Sequence, residues 1–194
     1  MSFVYSPYIL PLIAAAFISV VVAIYAWMRR SATGALALCL MAVSISIWAV
    51  GYSLEIAGTD LETKYLWGVI QYIGIAFAPY GWLIFSIVYS DQAKIVSRRF
   101  IILTALIPSM TVLLALTTKW HGLIWNEYYI NRQGDFSALG ISYGIWFFVH
   151  FAYSYIILLI GTILLARVLW RRQGMYRGQV VGQGGTALGG NFQD

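Results

Sequence analysis

Hydrophobic positions fall along this chain in five long blocks, separated by short polar stretches. The blocks cover roughly residues 8–28, 34–56, 65–89, 100–118 and 143–170. Each is long enough to cross a bilayer as a helix, which takes about 20 apolar residues. None carries an uncompensated charge near its middle. The pattern predicts an all-α fold: a polytopic membrane helical bundle of five transmembrane helices. Thr59 and Glu62 stand at capping-box spacing and predict that the third helix starts near Asp60, above the membrane. Acidic residues in that first turn suit the helix dipole. Pro79 and Pro108 fall inside the third and fourth spans, where kinks rather than breaks are expected, because neighbouring groups can satisfy the freed carbonyls. The longest connection, residues 119–142, is rich in Trp and Tyr. Such rings favour the headgroup layer, so this segment reads as a lid containing a helical turn or a short hairpin. Residues 1–178 form one transmembrane domain in this reading. Residues 179–194 are a glycine-rich tail expected to be flexible.

Composition and charge sharpen the picture. Of the 194 residues 61% are hydrophobic and 10% charged, more apolar surface than a soluble domain of this size can bury. The formal charge of +5 is not a nucleic-acid signal, because the basic residues sort by loop. Arg29 and Arg30, then Lys94, Arg98 and Arg99, then Arg167, Arg171, Arg172 and Arg177 fall on one side. The other side carries only Lys64, Lys119 and Arg132, together with five acids. The positive-inside rule therefore places the N-terminus outside and the C-terminus in the cytoplasm. The first span is not a cleaved signal peptide, since its arginines follow the apolar run instead of preceding it. Cys39 is the single cysteine, which excludes an intramolecular disulfide.

Candidate chemistry is sparse. The only histidines are His121 and His150, and no metalloprotease, hydrolase or paired-carboxylate motif is present. "GQGGTALGG" lacks the ending of a phosphate loop. The lysines, Lys64, Lys94 and Lys119, read as loop or helix-end residues, which argues against a retinal Schiff base. No catalytic residue, metal site or cofactor is expected. His121, beside Trp120 and Trp125, reads as structural. A different group stands out in the outer halves of spans two, three and five. Trp48, Tyr52 and Glu55 share a helical face; Trp67, Gln71 and Gly74 form a stripe; Tyr143, Trp146, His150 and Tyr153 share another face. Gln71 lies about 9 Å below Tyr65 and His150 about 10 Å below Tyr143, at the rise of a helix. Polar groups at such depth normally face a bundle interior or a wet cavity. Tyr52, Glu55, Trp67, Gln71, Trp146, His150 and Tyr153 are therefore expected to bind a small ligand in an aromatic-walled pocket, with Glu55 at its mouth. The blander alternative stays open: Glu55 as an ordinary helix end, Gln71 and His150 as interhelical glue, the tryptophans as belt anchors.

At these residues the chain resembles the N-terminal seven-transmembrane sensor region of membrane histidine kinases. The resemblance rests on Trp48, Gly51, Tyr52, Glu55, Trp67, Tyr72, Gly74, Pro79, Trp82 and Phe85. It continues with Thr117, Thr118, His121, Leu123 and Trp125 in the long loop, and with Tyr143, Gly144, Trp146, His150, Tyr153, Ser154 and Tyr155 in the fifth span. It covers about residues 8–178. It implies an extracytoplasmic input module, followed in such proteins by two more spans and a cytoplasmic kinase or diguanylate cyclase. Here the sixth span is replaced by the glycine-rich tail, so the expectation is a truncated sensory module without its output domain. Two other readings fit the same residues. One is a fragment without independent function. The other is a small transporter or channel component, which would carry polar residues on to the cytoplasmic side, whereas below Tyr153 and Gln71 the spans turn almost wholly apolar. The expected partners are membrane lipid, a small-molecule ligand from the extracytoplasmic side and a second copy in a homodimer; nucleic acid is not expected.

Overall fold

The computed structural model describes residues 2–90, 92–131 and 137–186, with side chains as far as residue 170. Five helices are long and apolar enough to cross a membrane. They are α1 (Ile9–Met28), α2 (Ala35–Ala57), α3 (Leu61–Tyr89), α4 (Arg98–Leu116) and, after a one-turn helix α5 (Thr118–His121), α6 (Ile145–Thr186). The apolar, membrane-length part of α6 is Ile145–Trp170. The helix continues to Thr186, into the segment read as a glycine-rich tail, and residues 187–194 lie outside the described residues. A short 3₁₀ turn at Ala93–Ile95 leads into α4. Pro79 and Pro108 sit within α3 and α4, and both helices run unbroken through them. The loop before α6 holds both a helical turn and a hairpin. β1 (Trp125–Asn131) pairs antiparallel with β2 (Ala138–Tyr143), from Asn131 opposite Ala138 to Trp125 opposite Tyr143, with an irregularity between Trp125 and Glu127.

Chain direction puts the N-terminus, the α2–α3 turn and the β-hairpin at one end of the bundle. Arg29, Arg30, Lys94, Arg98, Arg99 and Arg167 fall toward the other. At the hairpin end the first residues are tied down. Val4 N–H donates to Ala57 O at 2.8 Å and Thr59 N–H to Ser2 O at 3.0 Å. The capping residue of α3 is Asp60, one position later than the Thr59–Glu62 spacing implies. Asp60 is in extended conformation, with φ −104° and ψ 155°. Its carboxylate accepts the Thr63 amide at 2.8 Å and the Thr63 hydroxyl at 2.8 Å, while Thr59 turns its hydroxyl to Ser2. A carboxylate serves better than a hydroxyl here because it accepts more bonds and faces the positive end of the helix.

α3 is the axis of the bundle. α2, α4, α6 and both hairpin strands pack on it, whereas α1 packs on α2 alone among the larger contacts. The closest approach is at Gly74. A side-chain carbon there would stand 2.2 Å from Ser44 O and 2.6 Å from Trp48 N, so only hydrogen lets the α2 backbone lie against α3. Small residues do this between membrane helices, where association rests on close packing instead of on escape from water. Two apolar clusters fill the ends. Val69, Tyr72, Ala115, Ile124, Trp125 and Leu139 lie under the hairpin, and Leu83, Ile87 and Ile157 lie toward the arginine-bearing end. The outward faces of α1, α4 and α6 carry exposed residues such as Phe17, Leu103 and Leu159, a surface suited to acyl chains.

The Asp60 cap carries a pH signature. The Thr63 amide and hydroxyl, with a smaller contribution from Ser2, hold its carboxyl well below the usual carboxylate range. A group whose folded pKa is depressed adds stability that is complete above the unfolded value, about 3.9, and is lost as pH falls through the folded one. The Thr63 amide should therefore exchange faster with solvent deuterium as pH is lowered below about 4, after correction for intrinsic exchange. Asp60→Asn should remove that dependence while keeping a cap. A Thr63 exchange rate that is independent of pH in the parent chain would overturn the assignment.

Candidate functional site

The polar residues expected in one pocket divide between two places, and the division follows from what covers each helix. At the hairpin end α2 finishes with Glu55 buried, at 4% exposure. Trp48 and Tyr52 precede it on the same helical face but are 44% and 38% exposed. The hairpin reaches α2 through β2 and roofs Glu55; lower down α6 does not close on α2, so Trp48 and Tyr52 stay uncovered. Glu55 is thus beneath a roof, not at a mouth, while Tyr52 one turn earlier stays outside that roof.

Under that roof a buried network joins three elements. Gln71 Nε2 from α3 donates to Glu55 Oε2, and Leu139 of β2 packs beside that carboxyl over Gly68. The side chain of Lys64 has no exposed surface. Its ammonium donates to Glu55 O at 2.8 Å, to Ser137 O at 2.5 Å and, more weakly, to Ile56 O at 3.4 Å. Two of these carbonyls are at the C-terminal end of α2, where the helix dipole favours a cation. Three protons meet three acceptors, which makes the burial of an ammonium tolerable. Trp125 seals the network. It is 2% exposed, donates from Nε1 to the Tyr72 hydroxyl at 3.1 Å, and meets the rings of Tyr65 and Tyr72 edge-on, each with centroids 5.7 Å apart. It rests on Gly68, where an added carbon would stand 2.8 Å from the indole.

The loop motif is also structural in its contacts. The Trp125 amide donates to Thr118 Oγ1 at 3.0 Å. His121 Nδ1 accepts the Leu123 amide at 3.0 Å, and Nε2 pairs with the Thr117 hydroxyl at 2.9 Å, so both ring nitrogens are engaged. Lys119 places its ammonium 4.3 Å above the Tyr65 ring, close enough for a cation–π contact.

The second place lies between α2, α3 and α6. His150, 4% exposed, lines a cavity of about 440 Å³ together with Trp48, Pro79, Trp82, Phe151 and Ser154. The remaining expected residues stand apart from both places. Trp67 is in a shallow cleft of α2 and α3 with Ser46 and Ile70. Trp146 donates to Thr111 Oγ1 at 3.0 Å, and Tyr153 donates to Thr104 O at 2.6 Å, both tying α6 to α4. Glu55 and Gln71 are brought together, and His150 faces a cavity of its own. Sequence reasoning missed Lys64 and Leu139. The capping pattern at Asp60 held the signal for Lys64: a helix that starts there has Lys64 inside its first turns, beside the end of α2, and not in a loop.

The family model described as the N-terminal 7TM region of histidine kinase matches residues 11–185. Comparison with curated proteins and with solved structures gives no match.

The network makes a stability prediction. Lys64→Met removes the donor from three carbonyls and the cation near Glu55, and should destabilise the folded chain by about 3 kcal/mol, the cost of breaking a buried charged arrangement. Thermal unfolding in detergent measures this, and hydrogen exchange at Leu139 should accelerate in the same variant. An unchanged melting temperature with unchanged Leu139 exchange would contradict the role assigned to Lys64.

Proposed function

The chain belongs to the family of N-terminal seven-transmembrane regions of histidine kinases and is a membrane sensory module, and we propose that its input acts through the buried network that joins the hairpin to α2 and α3. The observation that carries this reading is the position of Lys64 and Glu55. The hairpin segment is hydrogen-bonded to the buried Lys64 ammonium through Ser137, and Leu139 of β2 packs with the buried Glu55 over Gly68. A stimulus that lifts or presses the hairpin must then alter how the end of α2 sits on the start of α3. A ligand or a membrane state shifts such an equilibrium only by its differential affinity for the two packings. α6 begins directly after β2 and runs the length of the bundle toward Arg167, so it is the route by which the change leaves. In this reading the module has no catalysis of its own.

The same reading orients the bundle. The basic residues lie toward the end away from the hairpin, and the positive-inside rule makes that end cytoplasmic. The hairpin and the N-terminus are then extracytoplasmic, where an outside stimulus meets the roof first.

Joined to a kinase output with a transcriptional reporter, Glu55→Gln and Lys64→Met should shift the unstimulated signal by severalfold per inserted molecule, with Glu55→Gln keeping the parent's insertion and abundance and the signal of Lys64→Met normalised to its lower abundance. Both variants signalling like the parent would reduce the network to structural glue. For orientation, Asn126→Cys in a Cys39→Ser background should react with a membrane-impermeant maleimide added outside intact cells. Reaction only after the cytoplasmic face is opened would reverse the topology.

A further inference from the structure

The groove beside His150 is separate from the network under the hairpin. α2 and α6 each pack on α3 but hardly touch one another, and the groove of about 440 Å³ lies in that gap. Trp48 stands on one wall, Pro79 and Trp82 form the floor, and Phe151 stands on the opposite wall. Trp82 closes the far end by donating from Nε1 to Leu158 O at 3.3 Å. From His150 to Leu158 the groove follows α6 for about 12 Å along the helix axis. None of its lining residues is charged.

One polar atom of its lining side chains is unsatisfied, and it lies buried at the groove's edge, within reach of an occupant only by a small turn of the imidazole. His150 is 4% exposed, its Nε2 pairs with the Ser154 hydroxyl at 3.3 Å, and its Nδ1 has no hydrogen-bond partner among the described residues. Buried polar atoms normally have partners, so each exception calls for an explanation. Water is a poor one, because a buried water needs two to four polar contacts and this lining is almost wholly apolar. Nor does the groove suit a charged head, which would be buried with no opposite charge beside it. A molecule with a long apolar body and one neutral polar atom fits both the lining and the orphan nitrogen. A hydroxyl serves either tautomer of the imidazole, donating to Nδ1 or accepting from Nδ1–H. The head would sit toward the hairpin end and the chain toward the middle of the bilayer, as an amphiphile of that leaflet already lies.

We propose that the α2–α3–α6 groove is a lateral binding site for a neutral, long-chain alcohol-type amphiphile from the hydrocarbon layer, its hydroxyl bonded to His150 Nδ1. Binding there stands on the groove itself. That the bound amphiphile is a stimulus rests on the sensory reading above.

The test uses the full chain in lipid nanodiscs and 1-dodecanol carrying a diazirine in its chain. After photolysis, peptide mass spectrometry should find label at 41–48 and 147–158 at least about fivefold denser than on α1. Unlabelled 1-dodecanol should compete and dodecane should not. His150→Phe should weaken competition by 1-dodecanol about tenfold, the loss of one hydrogen bond. Ala78→Phe, which fills the groove, should abolish the enrichment, and Ala78→Leu, the milder replacement, should reduce it if the phenylalanine variant does not fold. Label spread evenly over α1, α4 and α6, or enrichment indifferent to His150 and Ala78, would overturn the site. So would cross-linking between two copies through Ala78→Cys, in a Cys39→Ser background, with the groove unlabelled; a second copy would then be its occupant. Labelling requires no kinase output, so failure to bind and failure of the sensory reading are separate results.

Discussion

An ammonium shielded from water holds the hairpin end of this protein together. Lys64 gives its three protons to carbonyls of α2 and of the hairpin segment, while the nearby Glu55 carboxyl is held from α3 by Gln71. Taking such charges out of water is costly, and the cost is offset only while every partner stays in place. The end of α2, the start of α3 and the hairpin are therefore linked in a way that apolar packing alone would not achieve. Apolar contacts slide; a fully satisfied buried charge has one geometry.

The rest of the bundle is built differently. Away from the roof, α3 is gripped by α2 through hydrogen-only contact at Gly74 and by α6 through Trp82 reaching Leu158. α4 is held to α6 by Trp146 on Thr111 and Tyr153 on Thr104. These single polar ties between otherwise apolar helices are the modest glue expected in a bilayer, where helix association gains little from the hydrophobic effect. A rigid cap above a looser set of helices is a reasonable arrangement for an input module. In the proposed reading a change at the cap would travel as tilt or rotation, and the gap between α2 and α6 leaves room for it.

Much of the fold was legible in the residues. Crossing a bilayer demands unbroken apolar length, and that demand marks the five spans to within a few residues. The start of α3 near Asp60 was legible because capping is a local matter of one side chain and the next three amides. The engaged state of His121 follows the same logic, since its partners Thr117 and Leu123 are close by in the chain. Less was legible at the candidate site. Trp48, Tyr52 and Glu55 do share a face of α2, yet only Glu55 is covered. Helical spacing gives the angle of a side chain about its own axis and is silent on what stands opposite.

Taken alone, the order of residues determined what depends on composition, length and near neighbours: lipid as the solvent, the number of spans, the start of α3 near Asp60, and a band of buried polar groups near one end. Only the tertiary structure decided the partners of those groups. Lys64 meets Ser137 across seventy-three positions of chain, and Gln71 meets Glu55 across sixteen, because the hairpin folds back over the α2–α3 turn. His150 is left to a groove of its own because α2 and α6 both lean on α3 without closing on each other. Contacts of that range follow from how helices pack, which no local pattern encodes.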